Sequence, residues 1–247
     1  MSQLERIDKA LVTLGLCETR SQATGLIKEG VVFYNGGLIT KTSLKIPLEE
    51  PDRIDIRKSY QFVGRGAHKL EGAHKDFNLI FTDKVIADVG ASTGGFTEYA
   101  LINGAIKVFA IDVGHDQLAK KLCDNPKVIN LEGTNIRNEV NLEELCDMAV
   151  IDLSFISLKL VAHNIAKLIK ENGELIFLVK PQFEVGKEGI GKNGIVKDLE
   201  LVGNTLKELE DYFHTINISV HEVIKSPIKG KSGNQEYLFY CTKREIK

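Results

Sequence analysis

Apolar residues change their spacing twice along this chain. From Leu4 to Gly15 they recur at helical intervals (Leu4, Ile7, Ala10, Leu11, Leu14), and the run stops at a glycine. Thr19 to Gly30 repeats the pattern and again ends on glycine. Val31 to Tyr34 then reads as a strand, and Asn35-Gly36 as a tight hairpin turn. Arg53 to Arg57 alternates charged and apolar residues, as a half-buried strand does. Further on the pattern becomes short apolar runs: Val85–Val89, Lys107–Asp112, Val128–Leu131, Met148–Asp152 and Glu174–Lys180. Helical patterns lie between them, at His115–Cys123 and Ser157–Lys170. Strands apolar on both faces are covered on both faces, so this alternation predicts an α/β, doubly wound, mostly parallel sheet. Ile216–Ile224 and Tyr237–Cys241 have only a loop between them, which predicts an antiparallel pair at the sheet edge. Gly64 and Gly66 punctuate the stretch between the two patterns. The expected domains are 1–60 and 67–247, with 61–66 as linker.

Composition narrows the classes. The chain has 247 residues, 43% hydrophobic and 27% charged, the balance of an ordinary globular protein. A net charge of -2 gives no bulk attraction to a polyanion, so any RNA contact must use a local patch. Cys17, Cys123, Cys146 and Cys241 form no C-x-x-C pair, which reads as reduced thiols in a cytoplasmic protein without a metal. No apolar signal core is present, and no uninterrupted apolar run approaches the ~20 residues a membrane helix needs.

Candidate chemistry centres on residues 84–98, which read as a strand, a glycine turn and a helix start. Gly90, Gly94 and Gly95 let a ligand approach the backbone. Their G-x-x-x-G-G spacing is not the G-x-G-x-x-G of dinucleotide sites, which disfavours a nicotinamide oxidoreductase and points to another adenosine ligand. In a doubly wound sheet the ligand lies beyond the carboxyl ends of the strands. Asp88, Asp112, Asp152 and Lys180 end four of them. Asp112 stands where a carboxylate can accept from both ribose hydroxyls of a nucleoside. Asn135 is placed either to touch an adenine edge or to satisfy its own loop backbone.

Two resemblances carry the reading further. R-I-D at 6–8, T-R-S-Q-A at 19–23 and G-V-V-F-Y-N-G at 30–36 resemble the S4 RNA-binding module. That likeness implies that Arg6, Lys9, Arg20, Ser21 and Lys28 face structured RNA. From Met1 to Lys45 there are six Lys or Arg against four Asp or Glu, so affinity would come from clustering. D-V-G-A-S-T-G-G-F-T-E at 88–98, A-I-D-V-G at 110–114, D-L-S-F-I-S-L at 152–158 and V-K-P-Q-F-E at 179–184 resemble S-adenosylmethionine-dependent methyltransferases. The likeness is closest to those that methylate RNA ribose 2′-hydroxyls. Taken whole, the chain resembles the TlyA family, often labelled hemolysin A.

This resemblance implies a Rossmann-like class I methyltransferase sheet behind a small α+β S4 domain, with S-adenosylmethionine as cofactor. The implied cofactor residues are Asp88, Gly90, Ser92, Gly94, Gly95, Phe96, Asp112, Val113, Asn135 and Asp152. The family's Lys-Asp-Lys-Glu tetrad falls on Lys69 (G-R-G-A-H-K-L), Asp152, Lys180 and Glu236 (S-G-N-Q-E-Y). A protonated ribose hydroxyl is a poor nucleophile, so the protein must align it and manage its proton. Lys180 is the candidate nearest the hydroxyl, as base or oxyanion stabiliser, with Asp152 and Glu236 orienting the two lysines. The glycine-rich 181–196 stretch reads as a mobile flap, with Lys187 and Lys192, and Arg65 outside it, near phosphates. Phe183 stacks on a base or serves packing. Loops 154–157 and 226–235 flank the same edge, and the target nucleotide is expected to flip out of its helix. The implied substrate is ribosomal RNA of one or both subunits, at a cytidine, in the cytoplasm. The oligomeric state is open, with a monomer favoured. The rival readings are a ribosome-assembly factor without turnover and a membrane-lytic protein.

Overall fold

In a computed structural model of the chain, residues 4–17, 19–28, 30–56 and 62–245 are described. The chain divides into two compact units, Met1–Gln61 and Phe62–Lys247.

In the first unit, strand β1 (Leu4–Arg6) leads into helix α1 (Ile7–Thr13), followed by helix α2 (Arg20–Lys28). Then come β2 (Val32–Tyr34), β3 (Gly37–Leu38), β4 (Lys45–Pro47) and β5 (Ile54–Ile56). The start of the first predicted helix is a strand instead. Glu5 pairs with Ile46, and Ile7 N donates to Leu44 O, so the backbone of 4–6 finds its partners in β4 rather than in a helical turn. Asn35 and Gly36 have φ of 51° and 76°, the two left-handed residues of a two-residue hairpin, and Tyr34 pairs with Gly37 across it. β5 pairs with the free side of β2. Ile7, Leu11, Ile27, Val32 and Ile46 form the buried core.

The second unit opens with helix α3 (Gly66–Phe77), then β6 (Val85–Val89), α4 (Gly95–Ile102), β7 (Lys107–Ile111), α5 (Lys120–Cys123) and β8 (Val128–Leu131). It continues with β9 (Cys146–Ile151), α6 (Ala162–Lys167), β10 (Ile169–Val179), α7 (Pro181–Glu184), α8 (Leu199–Thr215), β11 (Ile218–Lys225) and β12 (Tyr237–Lys243). Seven strands form one sheet in the order β11-β12-β10-β9-β6-β7-β8. All pair in parallel except β12, which runs against both β10 and β11. The antiparallel strand therefore lies one position inside the edge. β6 sits between β7 and β9, where the strand order reverses, and all five of its residues are buried. Its alternation splits the core in two. Ala87 and Val89 face Phe177, Leu209 and Phe213, while Ile86 packs with Leu70, Phe77, Phe96 and Leu178.

Two predicted helices come out shorter or broken, and one helix is additional. Only Lys120–Cys123 of the 115–123 stretch is helical, because the Glu132 carboxylate takes the N–H groups of Gln117 (2.7 Å) and Leu118 (3.0 Å). The 157–170 helix breaks into a single turn at Leu158–Leu160 and α6, since Leu168 O accepts from Cys146 N and draws Ile169 into β10. α8 was not among the named elements, although Asp198 caps it and Val202, Thr205, Leu209 and Phe213 mark its buried stripe. Residues 62–66 are packed inside the second unit. Phe62 lies against Tyr99, and a Cβ on Gly64 would come 2.6 Å from Thr93 Oγ1.

Candidate active site

The carboxyl ends of β6 and β9 meet because residue 90 has no side chain. Gly90 has φ of 88°, and a Cβ there would lie 2.5 Å from Asp152 O. With that space open, Asp152 N donates to Val89 O (3.0 Å) and the Asp152 carboxylate is set beyond the strand ends. α3 brings in Lys69; its first turn lies against α4 because a Cβ on Gly95 would come 3.0 Å from Ala67 N. Lys180 follows β10 directly and caps α7, whose first residue is Pro181. Glu236 precedes β12. Its Oε1 fills the space where Gly230 would carry a Cβ (2.5 Å), so a side chain at 230 would push this carboxylate aside.

These four side chains form one chain of charges. Lys180 Nζ lies 2.5 Å from Asp152 Oδ1 and donates to Ser154 Oγ at 2.7 Å. Lys69 Nζ lies 3.4 Å from Asp152 Oδ2 and 2.7 Å from Glu236 Oε2, the latter an ion pair not aligned as a hydrogen bond. Lys69, Lys180 and Glu236 are all buried, and Asp152 is one-fifth exposed at its side chain. Burial pulls the Asp152 carboxyl upward, but Lys180 and then Lys69 outweigh it and hold it below the usual carboxylate range. Two cations and two carboxylates balance, which is how this much charge is kept out of water.

Beside this chain lies an acidic pocket. Asp88 is fully buried; its Oδ2 accepts from Thr97 Oγ1 at 2.6 Å, and its Oδ1 has no partner. Burial, the larger cause, and the neighbouring Asp152 and Asp112 carboxylates push the Asp88 carboxyl up to about 7. Asp112 Oδ2 accepts from Ser92 N (2.8 Å) and Oδ1 from Gly114 N (2.7 Å). Gly94 has φ of 93°, and a Cβ there would collide with Leu118 and Leu122. Val113 is two-thirds exposed beside this pocket's Asp112. Phe96 is buried in the core, and Asn135 Oδ1 accepts from Arg137 N, so that side chain satisfies its own loop. Among the described residues no group of three or more His, Cys, Asp or Glu is arranged to hold a metal ion.

Two aromatic rings pair beside the tetrad, one of them near Lys180. Phe155, in D-L-S-F, is 91% exposed with φ of 65°, a left-handed conformation that a bulky residue seldom adopts. Its ring centroid is 5.1 Å from that of Phe183, which lies 6.0 Å from Lys180 Nζ. Sequence reasoning named the loop but not Phe155 or Ser154; their place directly after Asp152 was the available signal. Glu184 was quoted only within its motif. It anchors α7 by accepting from Ser157 Oγ (2.6 Å) and Leu158 N (2.8 Å). Arg65 donates to Lys229 O at 3.4 Å. The side chains of Lys187 and Lys192 lie outside the described ones.

In the first unit, Asp8 is buried and holds two arginines. Arg6 bonds it through Nε and Nη2 (both 3.0 Å), and Arg20 through Nε (2.9 Å). Both guanidinium groups stay about half exposed, and Lys9 is exposed nearby in sequence. The side chains of Ser21 and Lys28 lie outside the described ones. The bond from Arg6 is the largest cause holding the Asp8 carboxyl low. Its stabilising contribution is therefore present above the unfolded carboxylate range and lost as pH falls through the lower folded value. Asp8→Asn is expected to cost about 1–2 kcal/mol, discounted for the exposed arginines, and, if these arginines form the RNA surface that the sequence suggests, to weaken RNA binding because both guanidinium groups lose their anchor. A melting curve and a filter-binding titration check the two halves; unchanged RNA affinity would mean the arginines are not an RNA surface.

The FtsJ-like methyltransferase family matches residues 62–243 and the S4 domain residues 5–50. The 16S/23S rRNA (cytidine-2′-O)-methyltransferase TlyA of Mycobacterium tuberculosis is 37% identical over 97% of this chain and 90% of its own. Hemolysin A of Brachyspira hyodysenteriae is 36% identical over 94% of this chain and 98% of its own. A solved structure from Streptococcus thermophilus, labelled a hemolysin, superposes with a TM-score of 0.77 at 38% identity, covering 99% of this chain and 90% of the other.

Proposed function

Since the chain belongs to the FtsJ-like methyltransferase family, we propose that it methylates the ribose 2′-hydroxyl of a cytidine in ribosomal RNA, with S-adenosylmethionine as methyl donor. One observation carries this reading: Lys69, Asp152, Lys180 and Glu236, from four separate segments, form one continuous charged chain at the sheet's switch point. The TlyA relative's name supplies the substrate class.

The residues present fit the donor. The unpartnered Asp88 Oδ1 suits its ammonium group, and three clustered carboxylates suit a cation. Gly90 and Gly94 hold the turn beside them in left-handed conformations, with φ of 88° and 93°, and each Asp112 oxygen keeps a lone pair for a ribose hydroxyl. When bound, S-adenosylmethionine supplies a methyl group already activated on a sulfonium. The protein then has to bring a hydroxyl to it and manage one proton. Around Lys180 Nζ, Asp152 and Ser154 hold two of three hydrogen-bonding positions. The third is left for the 2′-oxygen, and both base and oxyanion-stabiliser roles use that same position. Asp152 fixes Lys180, and Glu236 fixes Lys69, so the group that meets the hydroxyl is pre-oriented. Phe155 and Phe183 offer stacking faces to the flipped base.

The Asp88 assignment predicts a pH dependence. Its folded value lies above the ordinary one, so the folded state keeps a proton that the unfolded state gives up. Its contribution to stability therefore falls as pH rises from the ordinary carboxylate range to about 7 and is flat above that. A cationic ligand must displace that proton below pH 7. Affinity for S-adenosylmethionine is expected to drop about tenfold per unit below there, and Asp88→Asn to flatten the profile at a weaker affinity. Calorimetric titrations across pH 5.5 to 8 read it; a wild-type profile with no slope removes Asp88 from the ammonium site.

No helix among the described residues is long and apolar enough to cross a membrane, and the proposed substrate places the chain in the cytoplasm. The test is mass mapping of ribose methylation in ribosomal RNA with and without this protein. A 2′-O-methylcytidine that depends on it is expected; if no ribose mark depends on it, the reading is wrong.

A further inference from the structure

The loop that joins β11 to β12 does more than return the chain. It closes on itself, with Ser226 N donating to Glu236 O (2.8 Å) and Gly230 N to Asn234 O (3.0 Å). Asn234 is 2% exposed, and its side chain bonds outside its own loop. Its amide reaches into the 181–196 stretch instead. Nδ2 donates to Gly194 O at 2.8 Å, and Oδ1 accepts from Val196 N at 3.0 Å. An amide that gives one bond and takes one, to alternate backbone groups of one segment, imitates a neighbouring strand. Both groups of the side chain are satisfied, so the pairing is specific and resists replacement.

The clasped segment has a particular position. It begins at Pro181, immediately after Lys180, and α7 is pinned by Glu184 to Ser157 and Leu158. It then folds through turns at Lys187–Gly189 and Lys192–Gly194, where Asn193 and Gly194 are left-handed at φ of 65° and 73°. It ends at Val196 on the Asn234 amide. One end therefore leaves one tetrad lysine, and the other is held two residues before the tetrad glutamate. Glu236 in turn is seated by Gly230, whose missing Cβ makes room for it. The stretch that the sequence reads as a mobile flap is a strap tied at both ends by these contacts.

We propose that Asn234 is a positioning residue that fastens this strap to the Glu236 loop, so that the strap's placement over substrate and the Glu236–Lys69 pair are set together. The role rests on the methyl-transfer reading but acts on structure that can be observed without it. Losing the clasp frees Gly194 and Val196 and lets residues 230–236 relax. Lys69 then loses the fixed position of its paired Glu236 carboxylate, while Asp88 and Asp112, on other strands, are untouched.

The experiment uses the full chain with Asn234→Ala and the nearly isosteric Asn234→Asp, which keeps the acceptor but replaces the Nδ2 donor with an oxygen facing Gly194 O. Hydrogen exchange is expected to rise at least about tenfold in 190–196 and measurably in 230–237, with β6 and β7 unchanged. In methylation of ribosomal RNA, kcat is expected to fall about 10–100-fold with KM for S-adenosylmethionine little changed, as for a positioning group rather than a binding one. Exchange that rises in 190–196 alone, with kcat intact, makes Asn234 a local tie and overturns the coupling. Exchange that rises throughout, with KM and kcat lost together, makes it a general folding residue and overturns it too. Absence of methylation by the wild type defeats the enzyme reading, while the two exchange patterns still decide whether strap and Glu236 loop are joined.

Discussion

Lys180→Ala is expected to lower methyl transfer by about 10²–10⁴-fold while binding of S-adenosylmethionine stays essentially unchanged. The separation follows from position. Lys180 follows β10 and bonds Asp152 and Ser154, whereas Asp88 lies on β6 and Asp112 at the end of β7. Alanine removes the position left for the 2′-oxygen and none of the groups suited to the donor. Fold stability should fall by less than on loss of Asp152, since the deletion breaks one buried pair but leaves Asp152 with Lys69 at 3.4 Å. Arginine is not a conservative replacement here: its planar fork cannot meet Asp152, Ser154 and a sugar oxygen from one nitrogen. Single-turnover assays with saturating donor give the rate. A variant that keeps full activity would strip Lys180 of any role at the hydroxyl. The same variant tests the assembly-factor reading, because ribosome maturation that survives it unchanged would not depend on catalysis.

How much of this was legible in the chain depends on what each feature rests on. β6 could be read from Val85 to Val89 because burial on both faces writes a continuous apolar run, and all five residues are buried. Asn35-Gly36 could be read because few dipeptides accept two left-handed residues. The tetrad could not be assembled from spacing at all. Lys69 sits on a helix that no pattern had named, and Glu236 on a loop exit; only resemblance gathered them. Helix 115–123 failed for a reason outside its own segment, since Glu132 captures two of its N–H groups. Ser154, Phe155 and Asn234 went unassigned for the same kind of reason. Each takes its meaning from a partner distant in sequence or, for Phe155, from an exposure that sequence does not record.

Asp152→Asn should be as inactive as Lys180→Ala and, unlike it, markedly less stable. Among the described residues Asp152 is the group that touches both lysines, at 2.5 Å and 3.4 Å. The amide keeps the volume and one acceptor but removes the charge, leaving two buried ammonium groups to share Glu236, which reaches only Lys69. Removing one partner of a buried ion pair typically costs 3–5 kcal/mol; with Asp152 one-fifth exposed, the lower end, about 3 kcal/mol, applies here. In a domain of this size that lowers the melting temperature by roughly 6–12 °C. Adding Lys180→Met to Asp152→Asn removes the stranded cation as well and should recover part of the stability, with no recovery of activity. Calorimetric scans of the two single variants and the double supply the coupling. If Asp152→Asn melts with the wild type, the lysines are neutralised some other way and the charged chain at the switch point is not what holds the site together.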